Sequence, residues 1–156
     1  MMVSMTALAT TFATGHVGLN VADLERSIAF YTRVFGWTLK GQGDGYAFLG
    51  DDTRLILTLW AQSDGAFSTQ TPGLHHLSFE VDSVADVRAV EERVRETGLR
   101  LYHDGIVPHS ESASSGGLFF EDPDGIRLEV FTGADIHGSA PSRRRPDLRL
   151  LLGHGP

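Results

Sequence analysis

Apolar residues alternate with polar ones along two short stretches that stand 60 residues apart. In the first, Val17, Leu19 and Val21 are interleaved with His16, Gly18 and Asn20. In the second, Leu77, Phe79 and Val81 are interleaved with His76, Ser78 and Glu80. A period of two marks a strand with one buried face. Each stretch ends at a helix-capping residue, Asp23 or Ser83. The period then lengthens. Leu24, Ile28, Tyr31 and Phe35, joined by Ala29 and Val34, form one apolar helical stripe, and Gly36 ends it. In the second copy Val84, Val87, Val90 and Val94 make the stripe, Glu91, Glu92, Arg93 and Arg95 lie mostly on the wet side, and Gly98 closes the helix. Three short β signals follow each helix, at 37–40, 46–49 and 54–60, then at 99–102, 117–121 and 126–132. Asp122-Pro123-Asp124-Gly125 is a strong turn signal, because proline presets φ and glycine accepts positive φ; Gly50-Asp51-Asp52-Thr53 is its weaker counterpart.

The chain therefore reads as a duplicated β-α-β-β-β unit, an α+β fold of two βαβββ modules. The expected layout is a flexible N-terminus over 1–14, a first module over 15–60, a linker over 61–73 rich in Ser, Thr, Gln, Gly and Pro, a second module over 74–132, and a tail over 133–156. The tail carries Arg143-Arg144-Arg145 and then Leu148, Leu150, Leu151 and Leu152, which suggest a short helical turn. The stretch 103–116 reads as a long loop, and long loops in compact domains are often functional.

Strand parity gives these elements chemistry. If Val17, Leu19 and Val21 face their helix, His16, Gly18 and Asn20 face the opposite side; likewise His76, Ser78 and Glu80 oppose Leu77, Phe79 and Val81. In the last strand Leu128 and Val130 pack on the helix, so Arg127, Glu129 and Phe131 face away. The matching first-copy strand sends Arg54, Ile56, Thr58 and Trp60 to that side. His16, His76 and Glu129 thus lie on corresponding faces, and two imidazoles with one carboxylate are a ligand set that leaves metal positions open. The competing structural reading pairs Glu129 with Arg127 or Arg54. His75 falls on the other side of its strand and is expected to pack beside the linker. Arg54 and Thr58 are candidates to bind an anionic or hydroxylated substrate, with an internal ion pair as the alternative for Arg54. Phe119, Phe131 and Trp60 are candidate pocket walls. His109 and His103 lie in the long loop, and His109 is a candidate proton shuttle.

Composition narrows the classes. The 156 residues are 41% hydrophobic and 21% charged, with mean hydropathy −0.09, as in a soluble globular protein. A net charge of −7 disfavours nucleic acid as partner, so the Arg143–Arg145 run reads as a solvated tail. The chain has no cysteine, so any metal must sit on imidazole and oxygen donors. No apolar run approaches the roughly 20 residues of a membrane span. Residues 1–14 contain no Lys or Arg, which argues against a secretory signal and for a cytoplasmic protein.

Three segments carry a family resemblance: His16-Val-Gly-Leu-Asn-Val-Ala-Asp23 with Ser27-Ile-Ala-Phe-Tyr31 and Phe35-Gly-Trp37; His76-Leu-Ser-Phe-Glu-Val81; and Phe120-Glu-Asp-Pro-Asp-Gly-Ile-Arg-Leu-Glu129. Together they resemble the vicinal oxygen chelate superfamily of glyoxalases, fosfomycin-resistance transferases, extradiol dioxygenases and bleomycin-resistance proteins. The resemblance spans about residues 16–132. It implies paired βαβββ modules forming an open, cup-shaped mixed sheet (the glyoxalase/dioxygenase-like fold), with one divalent metal ion (Fe, Mn, Zn, Ni or Mg) on His16, His76 and Glu129. It also implies a small oxygen-rich substrate bound by chelation, and a homodimer. The alternatives it leaves are a non-catalytic drug-binding protein of the bleomycin-resistance type and a fosfomycin-type thiol transferase. Departures are visible. Ile56 is expected to stand opposite Glu129 in the duplication, where glyoxalase I relatives carry a fourth ligand. Gly18 replaces the threonine of the fosfomycin transferases. Phe119 replaces the tyrosine usual in extradiol dioxygenases.

Overall fold

The computed structural model describes residues 10–134 and residue 136. The Arg143–Arg145 run and the turn expected near Leu148–Leu152 lie outside the described residues, as does most of the expected N-terminal segment. The first half contains β1 (Val17–Asn20), α1 (Leu24–Phe35), β2 (Thr38–Gly43), β3 (Tyr46–Gly50) and β4 (Leu55–Trp60). The second contains β5 (Leu77–Glu80), α2 (Val84–Thr97), β6 (Val107–Pro108), β7 (Gly116–Glu121) and β8 (Arg127–Thr132). Each half makes one four-stranded sheet, in the orders β1-β4-β3-β2 and β5-β8-β7-β6. The first strand lies parallel to the last in each sheet, and the other neighbours are antiparallel, so both sheets are mixed. The intervening helix makes the crossover that parallel pairing needs.

The helix ends follow from sequence. Asp23 and Ser83 accept the backbone N–H of Arg26 (3.0 Å) and Asp86 (3.2 Å), each satisfying one orphan donor of the first turn. Gly36 and Gly98 close the helices at φ 71°, a left-handed conformation that costs glycine no strain. The stripe of α1 packs as the sequence indicates at Leu24, Ile28, Tyr31, Val34 and Phe35, with Phe30 added to it and Ala29 left out. Ser27, Phe30, Tyr31 and Val34 are buried, whereas Ala29 is exposed. Phe30 joins the stripe by reaching across to Phe120 of the second half, with ring centroids 6.5 Å apart.

One core serves both halves. The Asp122–Gly125 turn ties them together. Asp122 Oδ1 accepts the N–H groups of Asp124 (2.9 Å) and Ile126 (2.8 Å), while its Oδ2 accepts the buried Tyr31 hydroxyl (2.9 Å). Burial, followed by the neighbouring Asp122 charge, pushes the Tyr31 phenol well above its ordinary value, so it remains a donor. Asp124 meets Arg26 at 2.6 Å. Phe35, Trp37 and Phe79 stack across the two halves with centroids 4.4 to 5.2 Å apart.

The second half departs from the expected elements at one point. Residues 99–102 form only a single bridge, Leu101 to Phe120, and the fourth strand is instead Val107–Pro108, inside the stretch read as loop. Proline cannot donate to a ladder, so a two-residue edge strand is all this sequence supports. Among the described residues, no helix is long and apolar enough to cross a membrane.

Candidate metal centre

Strand alternation on β8 puts Leu128 and Val130 into the core and Glu129 on the opposite face. Glu129 is nonetheless buried, at 3% exposure, because residues of the long loop cover it. Its two oxygens have different partners. Oε1 accepts Nε2–H of His109 at 2.8 Å; Oε2 accepts the Ser78 hydroxyl at 2.6 Å. Ser78 is in register with Glu129 across the parallel β5–β8 pair, which explains its reach. Burial alone would raise the Glu129 carboxyl. Hydrogen bonds from His109 and Ser78, with His76 close by, outweigh it and hold the group at about 2. Glu129 is therefore a fixed anion at neutral pH.

His76, just before β5, turns Nε2 toward Glu129 Oε2 at 3.6 Å. This gap is too long for a good hydrogen bond. It is close to the separation of two donors that share one ion at bond lengths of roughly 2.0–2.2 Å. The Nδ1 of His76 lies 2.7 Å from Nδ1 of His75, so one ring carries the shared proton. His75 therefore does more than pack beside the linker: it engages the inner nitrogen of His76 and leaves Nε2 toward Glu129. Burial, then His76 and Arg127, lowers the His75 imidazole from its ordinary value. A metal-binding histidine is commonly oriented through its other nitrogen in this way. The donor chemistry of this pair, one imidazole nitrogen and one oriented carboxylate oxygen, fits a divalent cation.

His16 is not part of this cluster. It precedes β1 and is exposed, and no group of three His, Asp or Glu side chains among the described residues is arranged to hold a metal. His109 is 2% exposed, and both its nitrogens are engaged, Nε2 with Glu129 and Nδ1 with Ser115 Oγ at 3.0 Å. In this structure it steadies a carboxylate instead of presenting a free base. Phe119 pairs directly with Glu129 across β7–β8 and so flanks the site, with His103 edge-on to its ring at 6.0 Å. Phe131 lies against the His109 ring at 5.5 Å.

The first half supplies no second site of this kind. Thr58 pairs with Gly18 as Glu129 pairs with Ser78, so the counterpart of Glu129 is Thr58, not Ile56; the last strands align two residues further along than apparent from sequence. Thr58 is buried, and its hydroxyl accepts from Trp60 Nε1 at 3.0 Å. Arg54 lies elsewhere. It lines a cleft of about 870 Å³ between the halves, with Val17, Trp37, Phe79 and Arg93, and that cleft includes neither Glu129 nor His76. Neither Arg54 nor Arg127 pairs with Glu129, which excludes the ion-pair alternative. Sequence reasoning left Ser78 and Ser115 without a role. Ser78 was legible from parity, since it follows His76 on the same face. Nothing in the spacing links Ser115 or His109 to Glu129.

Paired mixed sheets with a buried, histidine-flanked carboxylate define a recognisable class of fold. Residues 13–130 match the Glyoxalase/Bleomycin resistance protein/Dioxygenase superfamily, and the chain belongs to that family. It is 32% identical over 117 residues to a trivalent organoarsenical cleaving enzyme of Bacillus sp. (strain MD1), covering 74% of this chain and 70% of that one. It is 25% identical over 130 residues to a catechol-2,3-dioxygenase of Bacillus subtilis (strain 168), covering 81% of this chain but only 44% of that one. A glyoxylase/bleomycin resistance protein/dioxygenase domain from Frankia sp. EAN1pec superposes with a TM-score of 0.65 at 29% identity, over 79% of this chain and 98% of the other. The α+β architecture of two βαβββ units is thus that of the superfamily, whose related members include enzymes.

Proposed function

We propose that the chain is a divalent-metal-dependent enzyme acting on a small substrate with two neighbouring oxygens. His76 and Glu129 would supply two ligands, and His16 of a second copy the third. The observation that carries this reading is the buried Glu129 carboxylate, held ionised with one oxygen aimed at a histidine nitrogen 3.6 Å away. The second copy enters because His16 is exposed and apart from the pair, while β1 and β5 are both edge strands among the described residues. A divalent ion there would act as a Lewis acid toward chelating substrate oxygens. The chain's own part is to fix the ligands: Ser78 and His109 orient Glu129, and His75 orients His76. Phe119 and Phe131 offer apolar wall beside the carboxylate.

Among the related activities, oxygen chelation suits this site better than cleavage of trivalent arsenicals. Trivalent arsenic is soft and seeks thiolates, and this chain offers none. Mixing two inactive variants tests the shared site. His16→Ala and Glu129→Ala chains should each lose metal. Co-refolded, they should regain up to about a quarter of the wild-type metal content, because half the pairs are mixed and one of their two sites is intact. No recovery in a confirmed mixed dimer would show that His16 is not shared between copies.

A further inference from the structure

Arg127 stands on the same face of β8 as Glu129, two residues before it. Two residues of strand span about 6.6–6.8 Å. One step before the Leu77–Leu128 pair, the β5–β8 register sets Arg127 alongside His76. Its position is fixed from one side only. Nε donates to the Tyr102 hydroxyl at 3.0 Å, and the guanidinium lies 5.2 Å from the Tyr102 ring centre. The carboxylate that could neutralise it is occupied: Glu121, its register partner, accepts from the Tyr102 hydroxyl at 2.5 Å and meets Arg100 at 3.6 Å. Among the described residues Arg127 makes no salt bridge of its own. Its two terminal nitrogens are thus left without a carboxylate partner, on a half-buried, pre-oriented side chain that shares a strand face with Glu129. A guanidinium so held suits a planar anion, to which it can donate two parallel hydrogen bonds.

We propose that Arg127, positioned by Tyr102, selects substrates that carry a carboxylate about one ring's width from their chelating oxygens. This deepens the metal-dependent reading above and rests on it. The substrate class becomes a small oxygen-chelating acid, and Arg127 a specificity-determining residue that touches the substrate, not the metal.

The probes are catechol and 3,4-dihydroxybenzoate, which share the chelating oxygens and differ by one carboxylate. Zinc uptake by the full-length chain is measured first by calorimetry, then the affinity of the zinc-loaded protein for each probe. The wild type should prefer the carboxylated probe by about ten-fold or more, as expected for a charge-assisted pair. In Arg127→Leu that ratio should fall to near one; in Arg127→Lys it should be intermediate, which separates loss of charge from loss of fold. Equal binding of both probes by the wild type, or an unchanged ratio in Arg127→Leu, would overturn the inference. Failure of the wild type to take up zinc, or of the loaded protein to bind either probe, would instead overturn the metal reading beneath it.

Discussion

At the scale of single residues, the site is a problem of holding one carboxylate. A buried carboxylate without donors would be neutral or destabilising; Glu129 has donors on both oxygens and is ionised down to about pH 2. The folded state therefore binds this proton more weakly than the unfolded chain, whose group sits near 4.5. The resulting stability is fully present above about pH 4.5 and is lost as pH falls toward 2. Urea unfolding at pH 6 and pH 3 should show a larger drop for the wild type than for Glu129→Gln, which has no such proton to bind. Equal drops would mean Glu129 is not held below its ordinary value. Ser78→Ala should weaken divalent-metal binding by roughly 10–100-fold, as loss of an outer-shell partner does, while leaving the fold intact by circular dichroism.

At the scale of elements, what could be read in advance was what periodicity controls. The strands at 17–20 and 77–80, both helices with their caps, and the turn at Asp122 follow from local pattern and were legible. Register across a sheet is a tertiary property. Parity put Glu129 and Ile56 on equivalent faces, but only the pairing of Gly18 with Thr58 and Ser78 with Glu129 shows that Thr58 is the counterpart. Arg54 lines the cleft between the halves together with Ile56, apart from Glu129 and His76, a placement that parity alone does not give. His109 was legible as a loop histidine and candidate proton shuttle, but its bond to Glu129 was not, because a contact spanning 20 residues through an irregular loop has no period. Gly117 shows how closely β7 approaches the site. A Cβ there would lie 2.9 Å from Glu129 Oε1 and 3.1 Å from Phe131 Cβ. Gly117→Ala should displace the carboxylate and lower metal affinity by about ten-fold, the cost of a ligand moved from its partners. Unchanged affinity would show that Glu129 can shift without consequence.

At the scale of the whole molecule, the two halves depend on each other through Tyr31–Asp122, Arg26–Asp124 and the Phe35–Trp37–Phe79 stack. Phe79→Ala removes a half-buried ring from that junction. It should cost about 2 kcal/mol or more in urea unfolding, toward the lower end for a core aromatic. If the halves instead unfold as two separate transitions in the wild type, the junction is weaker than its contacts indicate. Among the described residues β1 and β5 are edge strands and His16 is exposed, which is why a second copy enters the functional reading. The most direct measurement is a divalent-metal titration of the wild type against Glu129→Gln, with stoichiometry by elemental analysis. The wild type should hold one ion per chain and lose it to chelator, and Glu129→Gln should hold none at the same free-metal concentration. A wild type that takes up no ion from zinc, manganese, nickel, magnesium or ferrous iron, or a Glu129→Gln chain that binds as tightly, would contradict the account.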